Sequence, residues 1–346
     1  MLKAIPAPTV AASVPPDYGR VYFEGCGDHP FDPHANHCSL ENSWWMAEAT
    51  FAAYDQFDSQ GNARINLEPL RASGWTVGSA TAQNVQFVTL EDASTLIVAF
   101  RGTRLESFTL PGLTGPLIKP NSDDSRTDAS LIMRDIGHGL RVHRGFATAF
   151  DHIQAPFESK VQIAHALGKQ VWLCGHSLGG GLALLGAWAC RGLVRGLCTF
   201  GAPRVGNAAF ASAVVGSLPA YRRFVHHRDL ITTLPPEWIR VPIEGSAPWL
   251  SWLPFLSQSD HYVHAGEASL ISGQQALDIM EGATASLALA DLARDARAHF
   301  ADILKLLRSG FEPRNPGTWP VLYDAIADHA PVYYANKLFN ACVSNS

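Results

Sequence analysis

A serine lies between two glycines in the segment Gly175-His176-Ser177-Leu178-Gly179. The preceding stretch Val171–Cys174 is typical of a short β-strand, and Leu178–Cys190 has the composition of a buried helix. A serine at such a tight turn presents its hydroxyl above the sheet and brings the residues two positions away into close contact, which glycine allows. The pattern predicts that Ser177 is a nucleophile. The alternative is a glycine turn whose serine only caps the helix.

A serine hydroxyl is a weak nucleophile at neutral pH and needs a base, which in turn needs a carboxylate to orient it. On an α/β sheet with this kind of turn, the residues follow the chain order Ser, Asp or Glu, His. Asp229 fits the second place, because it follows the predicted strand Tyr221–His226 and precedes Leu234-Pro235-Pro236. His264 and His329 both fit the third place, and chain order alone does not separate them.

The elements that must position these residues alternate between strands and helices. Predicted strands cover 85–89, 95–100, 171–174, 197–200 and 221–226. Apolar residues at spacings of three and four predict helices over 42–54, 146–167, 178–190, 207–215 and 289–307. Gly168 is expected to end the second helix and Pro156 to kink it. This order is typical of an α/β fold with a mostly parallel sheet and helices on both faces.

Composition excludes several classes of protein. Hydrophobic residues make up 47% of the 346-residue chain and charged residues 16%, against about 25% charged residues in ordinary domains, so the chain is not intrinsically disordered. The net charge of −5 is spread without a basic stripe, which argues against nucleic acid as a partner. Six cysteines in so long a chain do not make a disulfide scaffold.

Two segments bear on membranes and targeting. Val171–Cys190 is uncharged and about as long as a membrane span, but its five glycines with His176 and Ser177 favour a strand, a turn and a buried helix, so we predict no transmembrane segment. Met1–Pro16 has four prolines and no unbroken apolar core, so no ordinary signal peptide is expected. The sequence leaves the location open between the cytoplasm and export by another route.

A cluster near the N-terminus contains residue types that bind zinc. Its members are Cys26, His29, His34, His37 and Cys38. Their spacing is irregular beside the usual Cys-x₂-Cys patterns, and Cys26 and Cys38 could instead form a disulfide in an exported protein. The favoured interpretation is a polar loop packed on the domain.

Four segments together carry a family resemblance. They are Val98–Thr103, Val142–Phe146, Gly175–Gly180 and Thr199–Asn207. In this combination the chain resembles the class 3 (fungal-type) triacylglycerol lipases, which have the α/β-hydrolase fold. The segments correspond to the family's oxyanion strand, the start of its next helix, its serine turn, and the strand and turn that follow. The resemblance extends over about 42–267 and 320–338.

The resemblance implies a role for each candidate residue. Ser177 corresponds to the nucleophile, Asp229 to the acid and His329 to the base, whereas His264 corresponds to a structural histidine. Thr103 corresponds to the family's Ser or Thr oxyanion position, and the Leu178 N–H supplies a second donor. No cofactor or metal is implied.

The resemblance also sets the expected organisation. Residues 1–41 form an irregular N-terminal segment, and 42–346 form one α/β-hydrolase domain with insertions at 104–141, 242–259 and 273–316. The first insertion corresponds to the family's lid, is longer than usual and lacks the short Asp-Trp lid pattern. The second carries Trp249, Trp252 and Phe255.

The function expected from these features is hydrolysis of carboxylic esters with apolar acyl chains, as in a lipase. The expected partners are a small lipid or ester substrate and a lipid–water interface. Two alternatives stay open at this point. One is a phospholipase or a feruloyl-type esterase, and the other is a non-catalytic protein that binds hydrophobic molecules.

Overall fold

A computed structural model describes residues 1–7, 15–55, 62–83, 85–102, 132–242, 257–272, 278–282 and 327–345, with isolated residues between 285 and 294. Four sequence predictions fall wholly or mostly outside these residues. They concern Thr103, the lid-like insertion 104–141, the insertion 242–259 with Trp249, Trp252 and Phe255, and the insertion 273–316 with the helix predicted over 289–307.

A mixed sheet of eight strands forms the centre of the described structure. Its order is β1-β2-β3-β6-β7-β8-β11-β12. Strands β3, β6, β7, β8 and β11 are parallel, and β1, β2 and β12 are antiparallel to their neighbours. The bounds are β1 Thr76–Ala82, β2 Val85–Glu91, β3 Thr95–Phe100, β6 Gln170–His176, β7 Val194–Phe200, β8 Ala220–His226, β11 Ala268–Ser272 and β12 Asp278–Met280.

Two further strand pairs lie outside this sheet. Strand β4 (Met133–Asp135) pairs with β5 (Arg141–His143), and β9 (Trp238–Pro242) pairs with β10 (Ser257–His261). Asp260 connects them, because its carboxylate accepts the Met133 N–H at 3.0 Å and lies 2.7 Å from the Arg141 guanidinium.

Helices cover both faces of the sheet because side chains alternate between the faces along each strand. Trp172 and Cys174 of β6 pack in one core with α1 (Leu40–Ala52) and α6 (Pro331–Asn345). Val171 and Leu173 of the same strand pack in the other core, with α3 (Arg144–Ala166), α4 (Leu178–Ala189) and α5 (Ala208–Gly216). A short helix, α2, spans Glu68–Ala72. The predicted α/β-hydrolase fold is confirmed.

Side chains set the starts of the long helices. Helix α1 begins two residues before the predicted Asn42, because the Ser39 hydroxyl accepts the Asn42 N–H at 3.1 Å. Helix α3 begins at Arg144, because His143 Nδ1 accepts the Gly145 N–H at 3.1 Å. Burial lowers the pKa of His143 to about 4, which keeps this acceptor neutral. Helix α3 continues through Pro156, and Gly168 follows it with φ of 76° as the sequence predicts.

The uncharged stretch Val171–Cys190 forms strand β6, a turn and helix α4, which confirms the predicted strand, turn and buried helix. Among the helices that the structure describes, none has the length and apolar character needed to cross a membrane.

A buried ion pair ties the N-terminal segment to both helices of one face. Glu48 on α1 is fully buried and accepts from Arg20 Nη2 at 2.7 Å and from the Phe23 N–H at 3.1 Å. Arg20 Nη1 also donates to Asn336 of α6 at 2.7 Å, and Lys3 Nζ lies 3.8 Å from Glu48. This network links residues distant in sequence to the helix that follows His329.

We expect Glu48→Gln to lower the free energy of unfolding by about 3–5 kcal/mol at pH 7, because it leaves the buried Arg20 without its counter-charge. Burial alone would raise the pKa of Glu48, but the charges of Arg20 and Lys3 outweigh it and hold this pKa below its usual value. The stabilisation is therefore complete above about pH 4.3 and is lost as the pH falls through the lowered pKa. Urea unfolding at pH 7 and pH 3 measures both effects.

Glu91→Gln is the matched control, because Glu91 pairs with Lys160 and Lys169 at the surface. Such pairs contribute about 0–1 kcal/mol. Equal losses for the two variants at pH 7 would contradict the role given to the buried pair.

Candidate active site

Ser177 occupies the turn between β6 and α4. Its backbone has φ of 58° and ψ of −129°, a strained combination for a residue with a side chain. The turn is held by two backbone hydrogen bonds, from the Ser177 N–H to the Phe200 carbonyl and from the Gly180 N–H to the Ser177 carbonyl, both 2.9 Å. The structure thus has the tight strand-to-helix turn that the sequence predicts.

The two glycines of the turn are required by space. A Cβ on Gly175 would overlap the backbone of Gly179, and a Cβ on Gly179 would overlap the Phe100 carbonyl at the end of β3. A Cβ on Gly102 would overlap the Tyr54 hydroxyl and lie 3.1 Å from the Ser177 Cβ. The chain just before Thr103 therefore passes directly beside the serine, although Thr103 itself lies outside the described residues.

Asp229 and His329 are brought together from positions 100 residues apart. Asp229 follows β8 and is fully buried, and His329 precedes α6. His329 Nδ1 lies 2.8 Å and 2.9 Å from the two carboxylate oxygens of Asp229. Because a carboxylate accepts and does not donate, Nδ1 carries the proton and Nε2 has the free lone pair in the neutral ring. Gly201 leaves room for this contact, since a Cβ there would touch both side chains.

The Asp229 carboxylate has two more donors. Its Oδ1 accepts the Ile231 N–H at 3.0 Å, and its Oδ2 accepts the Tyr334 hydroxyl at 2.7 Å. The Tyr334 oxygen in turn accepts the His226 N–H at 2.9 Å. These bonds fix the carboxylate in one orientation and compensate the burial of its charge.

His176 and Tyr54 hold the backbone of His329. His176 Nε2 lies 2.6 Å from the His329 carbonyl, and its Nδ1 lies 2.6 Å from the Tyr54 hydroxyl. A carbonyl only accepts, so Nε2 carries the His176 proton and Tyr54 donates to Nδ1. Burial lowers the pKa of His176 well below its usual value, so this arrangement stays neutral. The His176 and His329 rings lie 4.5 Å apart.

A second set of contacts joins the segments that carry Asp229 and His329. The Asp328 carboxylate accepts from His227 Nδ1 at 2.8 Å and from the Arg228 N–H at 3.2 Å. His226 Nδ1 donates to the Asp328 carbonyl at 2.8 Å, and Lys337 Nζ donates to His226 Nε2 at 2.7 Å. The His226-His227 pair therefore acts as a structural link between the two segments.

The other candidate base lies elsewhere. His264 Nε2 donates to the Thr232 carbonyl at 2.8 Å, within the turn Leu230–Thr233 that follows Asp229. Burial, with the nearby charges of Arg223 and Arg204, lowers the pKa of His264 well below its usual value. Of the two histidines, His329 is the one that contacts Asp229.

Ser177 Oγ and His329 Nε2 are both buried, and within the described residues neither has a hydrogen-bond partner. The serine–histidine hydrogen bond is thus not formed in this structure. Such bonds are often long before substrate binds. Leu178, whose N–H is the predicted oxyanion donor, is the first residue of α4, where the helix N-terminus favours negative charge.

The cysteine and histidine cluster near the N-terminus is not brought together as a metal site. In the described part of the chain, no group of three or more His, Cys, Asp or Glu residues could hold a metal ion. Cys26 contacts the Pro69 carbonyl, and Cys38 contacts the Leu197 carbonyl. Neither forms a disulfide, and Cys174, Cys190 and Cys198 are buried and free.

The supporting roles of Tyr54 and Tyr334 were not predicted from the sequence. Tyr54 ends the predicted helix 42–54, and Tyr334 is one of two adjacent tyrosines after His329, so nothing local distinguishes them. His176 had a signal, because it lies inside the glycine–serine motif. Its partners, however, come from distant parts of the chain.

Comparisons with known proteins show which family this chain is similar to. Residues 97–238 match the family model described as Lipase (class 3). A lipase of Rhizomucor miehei is 35% identical over 122 residues, which cover 33% of this chain and 34% of that protein. "Secreted mono- and diacylglycerol lipase 1" of Fusarium solani is 36% identical over 106 residues, covering 30% and 32%. The chain thus aligns with about a third of the length of these relatives.

One solved structure, of an MDLA mutant from Penicillium cyclopium, superposes with a TM-score of 0.49 at 20% identity, covering 69% of this chain and 83% of that chain. The family model ends at residue 238, just beyond the turn that follows Asp229. It begins inside β3, before the serine turn. Residues 97–238 of this chain therefore belong to the class 3 lipase family, on an α/β-hydrolase sheet.

Proposed function

We propose that this protein is a serine hydrolase that cleaves carboxylic esters of apolar acyl chains, as a triacylglycerol lipase does. The observation that carries the proposal is the environment of His329. Its Nδ1 is hydrogen-bonded to the buried Asp229, and its Nε2 has no hydrogen-bond partner among the described residues. A neutral imidazole in this tautomer accepts a proton at Nε2. Ser177 supplies the hydroxyl.

Each residue then has one task in the reaction. His329 Nε2 takes the proton of Ser177 as Oγ forms a bond to the ester carbonyl carbon, and the carbonyl oxygen becomes the oxyanion. The N–H groups of Leu178 and Thr103 stabilise that charge, and each such donor contributes about 2.7–4 kcal/mol. His329 returns the proton to the alcohol oxygen as its bond to carbon breaks. In the second half of the reaction, His329 takes a proton from water as the water oxygen attacks the carbonyl carbon of the acyl-enzyme. The bond to Ser177 Oγ then breaks, His329 returns the proton to Oγ, and the acid is released. Asp229 stabilises the positively charged imidazole in both halves.

The proposed substrate class follows from the relatives, which are named as lipases and as mono- and diacylglycerol lipases. The aromatic residues Trp249, Trp252 and Phe255 would add apolar surface for acyl chains or for a lipid–water interface.

Two measurements test this function. A fluorophosphonate probe is expected to label Ser177 in the folded protein, and heat-unfolded protein is the control. In a series of p-nitrophenyl esters from acetate to octanoate, kcat/KM is expected to rise about fourfold for each methylene that the pocket buries, since one methylene contributes about 0.8 kcal/mol. The same preparation is also assayed for hydrolysis of emulsified triglyceride.

Turnover limited to acetyl or aromatic esters would overturn the acyl-chain assignment while leaving the serine hydrolase intact. A folded protein that the probe does not label would overturn the hydrolase itself.

A further inference from the structure

Arg223 is a buried arginine in the middle of the sheet. It lies in β8 between Thr199 of β7 and Ala268 of β11, and only 6% of its surface is exposed. Thr199, Val225 and Ala268 around it are buried as well. Its side chain therefore has little access to bulk water.

Among the described residues, the Arg223 guanidinium has no counter-charge. Its Nε finds no hydrogen-bond acceptor among the described residues. The ionisable groups there that act favourably on its charge are the tyrosines Tyr221 and Tyr334, and no carboxylate does so. The adjacent Arg222, on the opposite face, contacts Glu281 at 2.5 Å and the Ser269 hydroxyl at 2.9 Å. Arg20 likewise has Glu48. Arg223 thus differs from Arg222 and Arg20, each of which has a carboxylate partner.

A second arginine, Arg204, lies near His264 together with Arg223, and no carboxylate of the described residues acts on that histidine. Arg204 donates to the carbonyls of Thr233 and Pro235. Both arginines lie close enough to His264 to lower its pKa, and no carboxylate offsets them there. His264 uses its Nε2 proton on the Thr232 carbonyl.

An uncompensated buried charge costs several kcal/mol, and a group that can lose its proton then becomes neutral. Arginine does not have this option, because its guanidinium stays protonated in proteins. Burial lowers the pKa of Arg223 but leaves it charged at neutral pH. The folded chain is therefore stabilised by any anion that reaches this group.

We propose that Arg223 is the centre of a buried binding site for one small inorganic anion of the chloride class. The buried side chains around it favour a halide over a larger organic acid. Arg204 and the neutral His264 donate to carbonyls of the segment 232–235 that follows Asp229, so the anion would stabilise the surroundings of that segment. The proposal concerns folding stability and does not depend on the proposed ester hydrolysis.

The test is thermal unfolding of the intact chain at pH 7 in sodium chloride and in sodium gluconate of equal ionic strength. Chloride is expected to raise Tm saturably, by about 2–4 °C at ten times its dissociation constant, while the large gluconate anion does not. Arg223→Met is expected to remove the chloride dependence. Arg222→Met, the matched control, is expected to keep it, because Arg222 already has a protein partner.

Equal Tm values in the two salts for the unmodified protein would overturn the proposal, as would an unchanged chloride effect in Arg223→Met. If Arg223→Met does not fold, the proposal is tested instead with crystals of the unmodified protein soaked in sodium bromide. An anomalous bromide peak within hydrogen-bonding distance of the Arg223 guanidinium supports the site. An ordered Arg223 without such a peak overturns it.

Discussion

We expect Ser177→Ala to lower kcat/KM for a p-nitrophenyl ester by about 10⁵–10⁶-fold, the loss typical of removing the nucleophile of a serine triad. The free energy of unfolding is expected to change little. Ser177 Oγ has no hydrogen-bond partner in the described structure, so alanine removes no bond and retains the Cβ that packs beside Gly102. Steady-state kinetics and urea unfolding of the same preparation separate the two effects.

Ser217→Ala is the matched control for this prediction. Ser217 lies at the end of α5, and its hydroxyl donates to the Val214 carbonyl at 2.8 Å. We expect full activity with a small loss of stability. If Ser177→Ala kept a tenth or more of the activity, another residue would have to be the nucleophile.

The second large effect separates the two histidines. His329→Ala is expected to lower kcat/KM by about 10⁵–10⁶-fold, because it removes the acceptor for the serine proton and leaves Asp229 without its partner. His264→Ala is expected to keep activity within about tenfold. Its main effect is a loss of stability of about 1–3 kcal/mol, because the buried Thr232 carbonyl loses its donor.

Measuring kcat/KM and urea unfolding for both variants at one pH gives the comparison. The opposite outcome, with His264→Ala inactive and His329→Ala active, would contradict the base assignment. It would also mean that the contact between His329 and Asp229 is structural.

The serine turn could be predicted from sequence because its determinants are local. Two glycines, each two residues from Ser177, lie between an apolar strand and a buried helix, and they leave the space that this tight turn requires. The structure shows the predicted crowding at both glycines. The alternation of strands and helices could be predicted for the same reason, because the hydrophobic periodicity of each element lies within one continuous stretch of chain.

Element ends were predicted less well. The start of α1 differed by two residues because the Ser39 cap, not the apolar pattern, sets it. Strand β4 and the first residue of β5 fall within 104–141, which was predicted only as an insertion, and the rest of β5 was assigned to the start of the next helix. Each of these strands has only three residues, too few to show a periodic pattern. Their position depends on distant contacts, such as the Met133 N–H donating to the Asp260 carboxylate.

The choice between His264 and His329 could not be made from the residues themselves. Both follow Asp229 in the chain, and chain order alone does not separate them. The family resemblance favoured His329, and the folded chain places it on the carboxylate. The contacts that hold it there come from Tyr54, His176, His227 and Tyr334, which lie on separate elements.

The sequence by itself determined the fold class, the serine turn and the residue types needed for acyl transfer, because these depend on short-range periodicity and on the space that glycine leaves. Only the tertiary structure decided which histidine contacts Asp229, which groups orient that pair, and that Arg223 is buried without a counter-charge. These facts depend on the order of the strands in the sheet, which brings together side chains that no local pattern relates.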